Sequence, residues 1–257
     1  MNRTVYLSHL IEDGALGRLL NMWPEAGIEA IEFGVGQNLD SREKSEKQYL
    51  ERMGEWIREW PFSVHGPFLD LNPGSFDSLI AEATRTRFEQ AYASAVRLGA
   101  DRIIFHTGFD PHTCYETGWP DQAVEFWKRF LEGTDGTVQV HLENVLDLHW
   151  EAVAHILDRT DCPWFTACLD MGHAGAYSLQ KPEEWVRGLA GRIGHLHLHD
   201  NDGTKDAHRP IGEGTISWER VFGAVGRCCR REISATVENL SEEDFRVSLD
   251  YLFTKNF

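Results

Sequence analysis

Basic residues are scarce in this sequence. Lys and Arg number 25 against 41 Asp and Glu in 257 residues, which gives a formal net charge of -16 at neutral pH. Affinity for nucleic acid comes mainly from Lys and Arg side chains that neutralise phosphates and release counterions. The deficit argues against a nucleic-acid partner and favours a small-molecule substrate.

The sequence also shows no sign of a disulfide framework or of a membrane-spanning segment. The cysteines are odd in number, 5 in all, and show no Cys-x-x-Cys spacing, which is typical of reduced thiols. No apolar run approaches the roughly 18 residues that a membrane span requires. We expect a soluble, cytoplasmic protein. The sequence also contains no Gly-x-Ser-x-Gly elbow, no P-loop and no zinc-finger spacing. The functions that these three motifs serve therefore have no support in the sequence.

What the sequence does contain is a regular alternation of β-rich apolar runs and segments of helical period. Helices are clearest at 77–98 and 241–254, the second with Ser241 as its expected cap. Eight such units in one unbroken chain predict a (β/α)8 TIM barrel, an α/β fold, as a single domain of residues 1–257. A doubly wound open sheet is the alternative, but its phosphate-binding fingerprint is absent. The predicted strands are 3–7, 28–33, 62–66, 102–106, 138–142, 165–169, 193–198 and 233–237.

Alternation along the predicted strands turns polar residues into the barrel. His195, His197 and His199 share one face of their strand, and the two intervening leucines share the other. The same parity turns His106 and Glu143 inward. Because active sites of such barrels gather at the carboxyl ends of the strands, these side chains are expected to converge at one mouth.

A ring of polar residues therefore lies at or just beyond the predicted strand ends. Buried carboxylates that have no compensating charge are costly, and imidazole with carboxylate suits zinc, manganese or iron. The sequence therefore predicts a site for divalent metal, and the number of groups permits more than one ion. The members of the ring are His65, His106, Glu143, Asp170, His173, His197, Asp206, His208 and Glu238.

Other polar residues have simpler interpretations. His141 and His195 are expected to be hydrogen-bonded structural residues inside the barrel. Glu32 ends the second predicted strand with inward parity and is either a substrate contact or the partner of an arginine.

The ordered motifs resemble the xylose isomerase-like TIM barrel superfamily. This superfamily groups sugar phosphate isomerases and epimerases with the endonuclease IV type of apurinic endonuclease, the AP endonuclease family 2. The matching stretches run in order along nearly the whole chain: SVHGP (63–67), FHTG (105–108), HLEN (141–144), LDMGH (169–173), HLHDNDG (197–203), DAHRPIGEG (206–214) and VEN (237–239).

The resemblance implies roles for the ring residues. Glu143, Asp170, His197 and Glu238 resemble the four ligands of the single divalent ion in the isomerases and epimerases, and His173 resembles their substrate-binding histidine. In the endonucleases three zinc ions are bound, and the further ligands of that pattern match five positions here: His65, His106, His173, Asp206 and His208.

Two features separate the chain from the endonucleases. The loop 34–40 offers no arginine at its tip for insertion into a DNA groove, although Phe68 and Leu69 stand where an aromatic-leucine wedge is expected. Three bound divalent ions would still leave a net charge of about -10, from -16 and +6.

The leading hypothesis is a metal-dependent isomerase or epimerase of a small, sugar-like carbonyl substrate, with or without a phosphate group. Glu143 and Glu238 are the expected acid and base, and His173, Arg209 and Glu32 the expected substrate contacts. The first alternative is a trinuclear zinc phosphodiesterase, and the second is a non-catalytic metabolite-binding barrel. A homodimer is expected if tryptophans are exposed on the helices or the mouth.

Overall fold

Eight parallel strands form the centre of the protein. The computed structural model describes residues 3–31, 39–229 and 233–255. The strands, in chain order, are β1 (Val5–Ser8), β2 (Gly27–Ala30), β3 (Phe62–His65), β4 (Arg102–His106), β5 (Gln139–Glu143), β6 (Phe165–Asp170), β7 (Ile193–Leu198) and β8 (Ser234–Val237).

Helices lie between the strands and surround them. A short 3-10 helix, Ala190–Arg192, leads into β7. Within the described ranges the α-helices are α1 (Asp13–Met22), α2 (Arg42–Met53), α3 (Trp56–Glu59), α4 (Ser78–Leu98), α5 (Trp119–Leu131), α6 (Trp150–Thr160), α7 (Met171–Tyr177), α8 (Pro182–Leu189), α9 (Trp218–Cys228) and α10 (Glu242–Thr254).

The sheet closes on itself in the order of the chain. Each strand pairs in parallel with the next, and β1 pairs with β8 through Val5 opposite Ala235 and Leu7 opposite Val237. This confirms the predicted (β/α)8 barrel and rules out an open sheet. No described helix is both long enough and apolar enough to cross a membrane.

Both predicted helices begin and end close to the expected residues. Asp77 caps α4 by accepting the backbone N–H of Leu79, and Gly99 ends that helix with φ of 73°. Ser241 caps α10 by accepting the backbone N–H of Asp244, as its spacing predicts. Local capping chemistry therefore fixes where these two helices start.

The strands sort their side chains as the alternation predicts, with one exception. Leu196 and Leu198 pack in the apolar layer under the helices, while His195 and His197 point into the barrel. The exception is β2, where the predicted inward parity of Glu32 would turn Glu29 outward. Glu29 instead lies inside the barrel, fully buried, because the strand ends at Ala30 and alternation cannot be counted back from beyond its end. Glu32 itself is outside the described residues.

Aromatic packing fixes α4 and α5 against the barrel wall. The Phe88 ring of α4 stacks on Phe105 of β4 at 4.1 Å between centroids, and Trp127 and Phe130 of α5 meet both rings. Four of the nine tryptophans are buried and the other five are half-buried, so the predicted homodimer stays a prediction. The indole rings pack between the helices and the barrel.

Replacing Phe88 with alanine should destabilise the protein by about 3–5 kcal/mol, because a cavity would open between α4 and β4. Chemical denaturation measured by circular dichroism gives this change. Leu79→Ala on the same helix is the control, since Leu79 is 79% exposed and its loss should change stability by less than about 0.5 kcal/mol. Equal effects of the two substitutions would contradict this account of the packing.

Candidate metal centre

Glu143, at the end of β5, is the centre of the first group of site residues. Its Oε2 atom lies 3.2 Å from His65 Nε2 and 3.5 Å from His106 Nε2. The other ring nitrogen of His65, Nδ1, is 2.9 Å from the backbone carbonyl of Gly66. A carbonyl oxygen can only accept a hydrogen bond, so Nδ1 of the neutral ring carries the proton. The lone pair is then on Nε2, which is the nitrogen that faces Glu143 and could bind a metal ion.

His197 lies where three carboxylates meet. Its Nδ1 atom is 3.1 Å from Glu143 Oε1, 3.6 Å from Glu238 Oε1 and 3.8 Å from Asp170 Oδ2. All four side chains are almost completely buried. One imidazole N–H cannot satisfy three carboxylates, whereas a divalent cation among these atoms would. The four residues come from β5, β6, β7 and the end of β8.

Asp206 is the centre of the second group. Its Oδ2 atom lies 3.3 Å from His173 Nε2 and 3.1 Å from His208 Nε2. His173 and His208 each direct Nδ1 at a backbone carbonyl, of Asn144 at 3.0 Å and of Glu238 at 3.2 Å respectively. Both rings therefore present Nε2 to the carboxylate, in the tautomer that suits a metal ligand.

Three asparagines connect neighbouring strand ends around the mouth. Asn144 accepts the backbone N–H of Asp170 and donates to the carbonyl of the same residue. Asn201 donates to the carbonyl of Gly172, and Asn239 to that of His208. These asparagine side chains bond to backbone groups that have no neighbouring strand to pair with. They therefore hold the ring residues in position beyond the last hydrogen bonds between strands.

The long segment between β7 and α9 carries Asp206 and His208, and a buried carboxylate anchors it. Asp200 accepts the backbone N–H groups of Gly212 and Ile216 and the indole N–H of Trp218 at 2.7 Å. The backbones of Asp200 and Arg209 also pair in antiparallel fashion. The segment is thus bent back over the barrel mouth.

The electrostatics of the ring follow from burial and from these contacts. Burial would raise the pKa of Glu143, but the charges of His197 and His106 and a hydrogen bond from His173 hold it well below its usual range. Burial would lower the pKa of His208, but its hydrogen bond to Asp206 and the charge of Glu238 raise it to about 9. Burial lowers the pKa of His106 to about 3. At neutral pH these shifts in pKa favour a charged His208 ring and a neutral His106 ring.

The donor set fits divalent metal ions. Several trios have ligand atoms within 4.8 Å of one another, among them His65–Glu143–His197, Glu143–Asp170–His173 and His199–His208–Glu238. Imidazole and carboxylate donors together suit zinc and manganese. All nine ring residues predicted from the sequence lie at this mouth, in two groups joined by the contact of His173 Nδ1 with Glu143 Oε1 at 3.4 Å.

The other predicted site residues have different surroundings. The Arg209 guanidinium pairs with Asp202 at 3.0 Å and is 44% exposed. Phe68 stacks on the His106 ring at 4.5 Å between centroids, so it covers a ring residue, while Leu69 is exposed. The substrate contact predicted at Glu32 lies outside the described residues. His141 and His195 hydrogen-bond to hydroxyl groups inside the barrel, Thr166 for the first and Ser234 and Thr236 for the second.

Two residues of the site were not predicted. Glu29 Oε1 lies 3.2 Å from His197 Nε2, and its Oε2 accepts the hydroxyls of Ser63 and Thr236. His199 lies 3.2 Å from Asp170 through Nε2. The alternation of histidines in β7 already placed His199 on the inward face, which was the available signal. No such signal marked Glu29, because the predicted strand runs to residue 33 whereas β2 ends at Ala30.

The sequence model of the xylose isomerase-like TIM barrel family matches residues 24–245. The chain therefore belongs to this family. Its fold and the composition of the mouth agree with that membership.

Individual similarities are more distant. An uncharacterised protein of Methanocaldococcus jannaschii, MJ1311, is 30% identical over 172 residues, which are 62% of this chain and only 58% of that protein. A probable endonuclease 4 of Mycoplasmopsis pulmonis is 23% identical over 221 residues, covering 76% and 77% of the two chains.

Two solved structures share the barrel over almost the full chain. A D-tagatose 3-epimerase-like protein has a TM-score of 0.76 and 24% identity, with 98% of this chain and 96% of that chain covered. The TTHB071 protein from Thermus thermophilus, soaked with zinc chloride, has a TM-score of 0.72 and 26% identity, with 97% and 96% covered. The first of these similarities shows the fold alone.

Divalent metal should stabilise the fold if the ring binds it. At a free zinc or manganese concentration of about 100 times Kd, the free energy of unfolding should rise by about 2.7 kcal/mol. Thermal unfolding of chelator-treated protein with and without added metal measures this shift. Asp170→Asn should remove most of it, whereas Asp147→Asn, at a buried carboxylate bonded to Thr107, should retain it. If metal stabilised both variants by the same amount, the metal would have to bind outside the ring.

Proposed function

We propose that this protein is a metal-dependent isomerase or epimerase of a small polyhydroxylated carbonyl compound. The observation that carries the proposal is the approach of Glu143 and Glu238 to His197 Nδ1, at 3.1 and 3.6 Å, from β5 and β8. These strands lie three places apart around the barrel. Two carboxylates that approach one position from different sides suit proton removal and return at a planar carbon.

The metal ligands in this proposal are Glu143, Asp170, His197 and Glu238, and zinc or manganese is the expected ion. A divalent ion held there would polarise the substrate carbonyl and lower the pKa of the neighbouring C–H group. His173 is the proposed partner of a substrate hydroxyl. Arg209 would have to leave Asp202 to reach a substrate, and Glu32 remains a proposed contact.

The reaction assigned to the carboxylates conserves atoms and charge. One glutamate takes the proton from the carbon beside the carbonyl, and the electron pair moves into the carbonyl to give a planar enediolate. The other glutamate returns a proton to the opposite face of that carbon, which inverts its configuration. Return of the proton to the neighbouring carbon, together with passage of the hydroxyl proton from one oxygen to the other, would instead exchange the positions of carbonyl and hydroxyl. Membership of the xylose isomerase-like family and the fold shared with a D-tagatose 3-epimerase-like protein support this assignment.

The experiment is a screen of ketoses, aldoses and their phosphates with manganese-loaded protein in deuterium oxide, followed by NMR. Epimerisation should incorporate deuterium at the carbon beside the carbonyl. Glu143→Gln and Glu238→Gln should each lower turnover by about 10²–10⁴-fold, because each removes one proton-transfer group. Glu219→Gln, on the exposed face of α9, should leave turnover unchanged.

The exchange pattern separates lost proton transfer from lost metal. Each single variant should still exchange the proton of the one epimer that faces the remaining carboxylate, without forming the other epimer. Loss of metal would instead abolish both exchange and inversion, and elemental analysis would detect it. Full turnover in both variants would disprove the assignment of Glu143 and Glu238.

A second candidate function is a zinc phosphodiesterase. It is favoured by the juxtaposition of His65 and His106 with Glu143 and of His173 and His208 with Asp206, together with the similarity to a probable endonuclease 4. It predicts three metal equivalents per chain and zinc-dependent hydrolysis of bis(p-nitrophenyl) phosphate. His106→Ala and His208→Ala should abolish that activity.

The screens also test a non-catalytic role. A metabolite-binding barrel would bind a sugar saturably in the presence of metal, without deuterium incorporation and without hydrolysis of a phosphodiester.

A further inference from the structure

A series of hydrogen bonds crosses the barrel interior from its amino end towards the mouth. It begins at Arg102, the first residue of β4, which donates to the hydroxyl of Ser234, the first residue of β8. The Ser234 hydroxyl lies 2.7 Å from His195 Nδ1, and His195 Nε2 lies 2.9 Å from the Thr236 hydroxyl. That hydroxyl donates to Glu29 Oε2 at 2.7 Å. These five residues form an interior network.

The direction of each hydrogen bond in the interior network is fixed. A carboxylate can only accept, so Thr236 gives its hydroxyl proton to Glu29 and has to accept from His195 Nε2. A guanidinium can only donate, and that of Arg102 lies 3.5 Å from His195 Nδ1, so this nitrogen carries the lone pair. The Ser234 hydroxyl therefore accepts from Arg102 and donates to Nδ1. Every donor in the series points towards Glu29.

At its upper end the interior network contacts His197. Glu29 Oε1 lies 3.2 Å from His197 Nε2, and neither atom has another hydrogen-bond partner among the described residues. Both side chains are completely buried. The opposite nitrogen of the same imidazole, Nδ1, faces the carboxylates of Glu143, Asp170 and Glu238. A carboxylate behind Nε2 can face only an N–H, so Glu29 leaves the Nδ1 lone pair of His197 for a metal ion.

We propose that the interior network positions the metal centre, because it holds the Glu29 carboxylate behind His197 and so selects Nδ1 as the ligand atom. Hydroxyl and imidazole dipoles that all point at one buried carboxylate offset its loss of hydration, and each polarises the next. Thr236 is the link that joins the lower residues to Glu29. Residues at the amino end of the barrel therefore contribute to metal affinity at the mouth. This inference rests on the proposed metal centre but not on the epimerase reaction.

The test compares the same substitution at two buried threonines. Thr236→Val removes a hydroxyl from the interior network with little change of shape. Thr166→Val is the matched control, because Thr166 is also buried inside the barrel and its hydroxyl hydrogen-bonds to His141, which is not part of the network. Thr236→Ser restores the hydroxyl, and Glu29→Gln removes the charge at the end of the series. Metal-free protein of each kind is titrated with zinc against a chromophoric chelator.

The variants should differ in zinc affinity. Glu29→Gln should lower it by about 10–100-fold, which is the usual effect of losing a partner behind a metal ligand, and Thr236→Val should lower it by about 10-fold. Thr236→Ser should bind zinc as tightly as the wild type, because serine can accept from His195 and donate to Glu29. Thr166→Val should also match the wild type. A general loss of packing would not produce this combination of loss and rescue.

Nuclear magnetic resonance of protein labelled with a heavy nitrogen isotope in histidine gives a second measurement. In the zinc-loaded wild type, His197 should keep a proton on Nε2 and bind the metal through Nδ1. Its N–H proton should resonate far downfield, because the hydrogen bond to a carboxylate is strong. In Glu29→Gln this resonance should move upfield, since the acceptor is no longer charged.

The outcomes separate the inference from the proposed function. Equal zinc affinities of Thr236→Val and Thr166→Val would overturn the inference, and so would a zinc-loaded wild type in which Nδ1 of His197 carries the proton. The second result needs no variant to fold, and neither result contradicts the proposed function. If the wild type bound no zinc or manganese, the proposed function would fail as well.

Discussion

The barrel mouth is organised by the cost of burying negative charge. Glu143, Asp170, Glu238 and, less deeply, Asp206 lie together in a region from which water is largely excluded. Like charges repel strongly in such surroundings, and imidazoles alone offer too few protons to satisfy them. The strands therefore have to deliver histidines and carboxylates together, and the asparagines that join the strand ends keep them in position. The proposed divalent ions would resolve this conflict more completely than protons do.

Much of this arrangement could be predicted from the sequence because strand geometry is strict. A period of two separates Leu196 and Leu198 from His195 and His197, and parallel strands place their carboxyl ends at one mouth. What could not be predicted depends on where a strand stops. The inward position of Glu29 could not be derived from the predicted parity of Glu32, because β2 ends at Ala30 and no periodicity marks that end. Contacts between side chains distant in the chain were equally out of reach.

Glu29 shows how the interior below the mouth supports it. Its carboxylate lies against the ring nitrogen of His197 that points away from the three other carboxylates, and it accepts the hydroxyls of Ser63 on β3 and Thr236 on β8. A carboxylate behind a metal-binding histidine orients the ring and strengthens it as a ligand. The barrel interior therefore does more than fill space inside the sheet. Glu29, which lies below the mouth, favours the orientation in which Nδ1 of His197 faces the other carboxylates.

Most residues of the site lie on strands or directly after them, and this placement affects how the sequence of such a protein can change. Seven of the residues that meet at the mouth lie on strands or immediately after them, namely His65, His106, Glu143, Asp170, His197, His199 and Glu238. The loops 66–76 and 107–118 supply none of these seven side chains and none of His173, Asp206 and His208. Insertions or exchanges in those two loops can reshape the rim and leave the proposed metal centre unchanged. In the proposed enzyme, substrate preference could therefore change by recombination of short segments, whereas the segment that carries Asp206 and His208 would have to be inherited as a unit.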